Sequence, residues 1–168
     1  YENASTTSIT YPETYPFMVD TAQRRPGILI PYTHHGRIVG STIRFIDERK
    51  PKYLNDQQPG YVLGVDLQQE SWQVAIVCEG VFDAISISGL AVLHNDINDR
   101  QAELLRSLGK EIVVVPDQDK PGLKLIDAAI RHNFSVSVPD WDDCKDINDA
   151  VQKYGKLYTV LSIVTNIS

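Results

Sequence analysis

From residue 74 onward, short apolar runs alternate with helix-like segments, and this alternation constrains the fold most. VAIVC (74–78) and EIVVV (111–115) are apolar with almost no polar interruption. Such runs suit strands covered on both faces, as in a parallel sheet flanked by helices. AVLHN and SVSV supply two further strand candidates. Between them lie VFDAISIS, stopped by Gly89, and a segment from Asn98 to Leu108. In the latter Asn98 can cap, Gln101 stands three residues on, and Leu104, Leu105 and Leu108 share a face. Pro121 suits the first turn of a third helix running to about His132. Asp146 can cap a fourth, INDAVQKY, ended by Gly155, and LYTVLSIV is expected to be helical. The fold class is therefore α/β, a parallel sheet flanked by helices.

The front of the chain differs. Residues 1–26 are polar, rich in Tyr, Thr and Pro, and have no clear period; they are expected to form an irregular lead-in. GILIPY and RIVGSTIRFID, separated by a turn ending in Gly36, predict a hairpin. KPKYLNDQQPGY is expected to be loop, with Pro51 and a Pro59-Gly60 turn. Three regions result: a lead-in (1–26), a β-rich segment (27–70) and an α/β domain (71–168). The chain has 168 residues, begins with Tyr1 and has one methionine, Met18, which suggests a piece excised from a longer protein.

Composition narrows the class. No apolar run nears the roughly 18 residues that cross a membrane, and no secretion signal opens the chain. Cys78 and Cys144 make neither a disulfide framework nor a zinc site, so a reduced cytoplasmic setting is expected. Net charge is −6 but uneven: residues 24–52 hold seven basic residues against Asp47 and Glu48, whereas residues 53–168 hold nine against seventeen acids. Such a division suits a protein that holds a polyanion with one part and metal ions with another.

The acids fall at special places. Ligands of parallel α/β sheets gather beyond the carboxyl ends of the strands. Glu79 follows VAIVC at that edge, and Asp117 and Asp119 follow EIVVV. Residues two apart in extended chain face one way, and Asp83 lies one helical turn from Glu79. Asp146 follows the fourth strand. Five carboxylates would converge, which like-charge repulsion disfavours unless a cation joins them. Hard oxygen donors suit Mg2+ or Mn2+, two of which can clamp the oxygens of a phosphoryl transfer. Glu79 could instead transfer a proton.

EGVFDA followed by PDQDKPG resembles the TOPRIM domain shared by DnaG-type primases, type IA and type II topoisomerases and several nucleases. KPKYLN is similar to the primase motif PKYLNS, GRIVGSTIRF to GRVIGFGGRV, and DQDKPG to DGDKAG. KDINDAVQKYG resembles the closing motif of primases. The likeness runs from about Gly27 to Gly155, is closest to primases, and among them to phage forms with short intervening elements. It implies catalytic roles for Glu79, Asp83, Asp117 and Asp119, with metal held by Glu79, Asp117, Asp119 and Asp146. It implies nucleotide or nucleic-acid contacts for Arg44, Lys50, Lys52 and Lys120. The implied activity is template-directed RNA primer synthesis from ribonucleoside triphosphates on single-stranded DNA, using Mg2+ (or Mn2+), in a bacterial or phage-infected cell and in partnership with a replicative helicase. Two departures stand out: Asn148 occupies the place of the closing motif's second acid, beside Asp149, and LHNDI replaces a stretch with GTA. The 168 residues carry no cysteine pattern that predicts a zinc-binding module.

The rivals are a TOPRIM nuclease using the same acids, which PKYLN and GRIVG disfavour, and a non-catalytic module that binds nucleic acid or a helicase. Milder readings apply to single residues. His34 and His35 suit a solvated turn, Cys78 a small core position, and Trp72 and Trp141 packing rather than base stacking. His94 lies near the proposed site. Asp146 and Asp149 also suit a plain helix cap.

Overall fold

The computed structural model describes residues 25–118 and 122–168, so the lead-in lies outside the description except for Arg25 and Pro26. The chain divides into two compact units between Gln58 and Pro59. In the first, β1 (Gly27–His34), β2 (Arg37–Phe45) and β3 (Tyr53–Asp56) form an antiparallel sheet in the order β1-β2-β3. The expected hairpin is present. Its two-residue turn has positive φ at His35 (50°) and Gly36 (72°), the combination whose twist matches that of paired strands.

The third strand corrects the loop expected over KPKYLN. Tyr53–Asp56 pairs with β2, Leu54 opposite Ile43, and alternates exposed and buried residues. Leu54 joins Ile43 and Phe45 in a small core that drives the pairing, overriding the poor strand propensity of Asn55 and Asp56. Arg25 anchors the sheet's edge. It is buried, lies 3.7 Å from the Phe45 ring centroid, and donates to Asp47 (3.0 and 2.7 Å) and to the carbonyls of Arg49 and Pro51. The Arg25 guanidinium holds the Asp47 carboxyl well below the usual carboxylate range.

In the second unit, β4 (Val74–Cys78), β5 (Leu90–Ala91), β6 (Glu111–Val114) and β7 (Ser135–Val136) form a parallel sheet ordered β5-β4-β6-β7. Helices α1 (Val81–Ile87), α2 (Asp99–Ser107), α3 (Gly122–Arg131), α4 (Ile147–Tyr154) and α5 (Lys156–Thr165) complete it. The central strands face apolar layers on both sides. Ala75, Val77, Ile112 and Val114 meet Ala102 and Leu105 of α2 and Leu125 and Ala128 of α3. Ile76, Cys78, Val113 and Val115 meet Ala84 and Ile87 of α1, Ile147 and Ala150 of α4, and Ile163 of α5. Two buried faces explain the uninterrupted apolar runs. AVLHN and SVSV give shorter strands than their length suggests. Leu93 adopts a positive φ of 67°, which turns the chain out of the sheet after β5.

Residues 59–70, expected to fold with the β-rich segment, belong to this second unit. Val62 is buried in its core, and Leu63 pairs with Ala91 in an antiparallel bridge. At the far edge Val136 and Ser168 exchange backbone hydrogen bonds of 3.1 and 2.9 Å. Both open edges are thereby covered. Asn98 and Gln101 form the expected capping box. The Gln101 amide also donates to the carbonyls of Tyr61 (2.9 Å) and Val92 (3.0 Å), tying the segment before β4 to the strand layer. Gln101→Ala should cost about 2–3 kcal/mol in urea unfolding with an unchanged m-value, because two buried carbonyls lose their donor. A loss within 0.5 kcal/mol, roughly that of a surface substitution, would contradict this.

Candidate active site

The chain leaves β4, crosses through α1 to β5 on one side, then returns through α2 to β6 on the other. The switch point, where helices depart to opposite faces, therefore lies between the carboxyl ends of β4 and β6. Glu79 follows β4 there and Asp117 lies three residues beyond β6, both half-buried. A cavity of about 410 Å³ opens beside Asp117, lined also by Gln118, Leu123, Val138 and Asp140.

Asp83 stands in the first turn of α1, only 6% exposed. Its Oδ1 accepts the backbone N–H of Asn148 at 2.8 Å. A Cβ at Gly80 would come within 2.2 Å of its Oδ2, so the Glu-Gly pair has a steric cause: only glycine lets this carboxylate tuck beneath the turn. Asp146 caps α4, its Oδ1 accepting the N–H of Asp149 at 2.8 Å, as the plain capping reading expects.

Three of these carboxylates act on one buried group, the Cys78 thiol. Burial pushes the Cys78 thiol well up, and the charges of Asp83, Asp117 and Asp146 push it further. Burial likewise lifts the Asp83 carboxyl to about 6; the Asn148 N–H opposes this, and the nearby Asp146 charge reinforces it. The donor set is all carboxylate oxygen, which fits a hard divalent cation, and the crowded negative charge is what such a cation would offset. Among the described residues no three acidic, His or Cys side chains form a metal-holding group, and Asp119 and Lys120 lie outside the described residues.

Links that motif reading missed hold the edge together. The N–H of Gln118 donates to the Lys145 carbonyl and its amide to the Pro139 carbonyl, both at 2.8 Å. The loop carrying Asp117 is thereby tied to the one preceding Asp146. The polar residue inside DQD was the only sequence signal for this.

Other candidates sit elsewhere. Arg44 lies 4.7 Å from the Tyr53 ring centroid, Lys50 is exposed, and Lys52 donates to the Asp47 carbonyl at 2.9 Å. Arg25 and Arg49 both pair with Asp47, so part of the basic front is neutralised internally. Trp141 is buried and donates to Ser162 at 2.7 Å, a packing role. Cys78 is a buried core residue. His35 lies in the exposed hairpin turn, and His94 is exposed. Trp72 lines an apolar groove of about 370 Å³ with Val74, Ile87 and Val160.

Comparison with known proteins agrees with this geometry. A model of the Toprim-like family matches residues 76–151. The DNA primase of Deinococcus radiodurans is 31% identical over 148 residues, covering 76% of this chain and 26% of that protein. The DNA primase of Clostridium acetobutylicum is 26% identical over 151 residues, covering 79% of this chain and 25% of that protein. The DnaG primase catalytic domain bound to ssDNA superposes with a TM-score of 0.68 at 18% identity, covering 83% of this chain and 52% of that one. A parallel sheet with acids at its switch point is thus a Toprim-like domain. Residues 76–151 form a Toprim-like domain, and the chain is similar there to DNA primases. It spans about a quarter of the length of the curated relatives it matches. TOPRIM primase domains are in general metal-dependent. Among the described residues no helix is long and apolar enough to cross a membrane.

The raised Asp83 value carries a stability consequence. Between about pH 4 and pH 6 the folded chain binds more protons than the unfolded one, so stability falls as pH rises. The contribution is fully present below the ordinary carboxylate range and is lost through about 6, on the order of 3 kcal/mol in total. Urea unfolding of metal-free protein should show this decline, and Asp83→Asn, which keeps the acceptor for Asn148, should flatten it. An unchanged slope in that variant would contradict the assignment.

Proposed function

We propose that this chain is the catalytic TOPRIM part of a DNA primase, which joins ribonucleotides on a single-stranded DNA template. The observation that supports the reading is that Glu79 and Asp117 follow neighbouring parallel strands, β4 and β6, at their carboxyl ends. In this reading Asp117, Asp119, Asp146 and Glu79 hold Mg2+ (or Mn2+). When bound, the metal lowers the pKa of the attacking 3′-hydroxyl and neutralises triphosphate charge.

The protein's own groups do the rest. Glu79 would take up or deliver a proton at the reacting hydroxyl. Asp83, buried and bonded to Asn148, fixes the acids around it. Arg44 and Lys50 have no carboxylate partner among the described residues, which leaves their charges for phosphates of template or nucleotide. Lys52 and Lys120 join them in that role. A primase found bound to single-stranded DNA shares this fold, which supports the template assignment. A replicative helicase is the proposed partner, and the cytoplasm of a bacterial or phage-infected cell the setting.

The test uses the full-length parent protein with single-stranded DNA, labelled ribonucleotides and Mg2+ or Mn2+. Template-dependent oligoribonucleotides should form, and Asp117→Asn with Asp119→Asn should abolish them without unfolding the protein, as circular dichroism would show. Full synthesis by that double variant would overturn the mechanism. Shortened template with no synthesis would replace the reading with a nuclease.

A further inference from the structure

Asn148 occupies the place where the closing motif of the resembled family carries a second acid. In the structure its surroundings are not those of a ligand. Its backbone N–H donates to Asp83 Oδ1 at 2.8 Å, and its side-chain Oδ1 accepts from the Ser86 hydroxyl at 2.8 Å. Asp83 lies in the first turn of α1 and Ser86 one turn further on. The Asn148 side chain therefore reaches along α1, away from the strand edge where Glu79 stands.

The hydrogen bonding explains why an amide serves here. Ser86 Oγ lies 2.7 Å from the Phe82 carbonyl and 2.8 Å from the Asn148 amide, and it has one proton to give. The hydroxyl shares its proton between two acceptors, the Phe82 carbonyl and Asn148 Oδ1. An aspartate at this position would accept in the same way but would add a negative charge close to Asp83. Asp149 does not replace the missing acid at the edge, since it is exposed and its Oδ2 accepts the Lys145 N–H at 3.4 Å.

We infer that Asn148 is a positioning residue: with Ser86 and Asp83 it clamps the start of α4 to α1 and so fixes Asp146, the single acid that the closing motif presents to the site. The cap of α4 is the segment held at both ends of this clamp, because Asp146 is two residues from Asn148 and caps the same first turn. A metal-facing carboxylate held this way depends on its supporting bonds as much as on its own identity. The inference rests on the metal-binding reading above, and its test separates the two.

The 168-residue chain is titrated with Mn2+ alone, followed by electron paramagnetic resonance, and unfolded in urea with and without the substitutions. Ser86→Ala and Asn148→Ala should each weaken Mn2+ binding about tenfold, the range expected when a supporting partner of a ligand is lost. The double variant should be no weaker than either single one. Ser86→Thr keeps the hydroxyl and should restore binding to within about twofold, by the same criterion. Asn148→Asp should weaken binding or leave it unchanged. Tighter Mn2+ binding by Asn148→Asp would overturn the inference, because it would show that position 148 reaches the ion. If the wild-type chain takes up no Mn2+, the metal reading fails, and the urea cycle decides the clamp: non-additive losses for Ser86→Ala and Asn148→Ala uphold it, additive losses overturn it.

Discussion

The acidic edge depends on the parallel pairing of β4 with β6, which sets Val74 beside Glu111 and Val77 beside Val114. Parallel strands end on the same side of a sheet, so whatever follows Cys78 and Val114 must emerge together. The pairing is secured by burial on both faces, with Ala75 and Val77 in one layer and Ile76 and Cys78 in the other. A one-residue slip would exchange the two layers and misplace Glu79 against Asp117. Core packing and site geometry are thus one constraint.

Gathering the acids has a cost that the surrounding bonds limit. Asp83 is buried under Gly80 and would be strongly disfavoured as an anion without the Asn148 N–H. Asp146 is held by its own cap, and the Asp117 loop by the bonds of Gln118. Asp83 and Asp146 are therefore tethered through backbone N–H groups, and the loop of Asp117 through the bonds of Gln118. Under the metal-binding proposal, these bonds would fix the negative charge in place before a cation arrives.

Much of this was legible in the chain. Uninterrupted apolar runs announced the parallel sheet, and the Asn98–Gln101 box, the Asp146 cap and the His35-Gly36 turn announced their elements. Glu79 and Asp117 could be placed at a strand edge because such edges follow from the alternation itself. The third strand was hidden because Pro51, Asn55 and Asp56 mimic a loop, and only the non-local contact of Leu54 with Ile43 and Phe45 decides otherwise. The membership of residues 59–70 in the second unit was hidden for the same reason, since it rests on Leu63 meeting Ala91. The Asn148–Ser86 contact spans 62 residues and leaves no local pattern. The basic front looked stronger in sequence than in structure, because Asp47 engages both Arg25 and Arg49.

The convergence of the acids can be tested by paramagnetic broadening. A 15N-labelled chain would be titrated with substoichiometric Mn2+ and its backbone amide signals followed by NMR. The amides of Glu79, Gly80, Gln118 and Ile147 should broaden together, while Val74 and Glu111 at the opposite strand ends stay sharp. Broadening centred on His34 and His35, or spread evenly over the acidic surface, would contradict a single metal-holding edge.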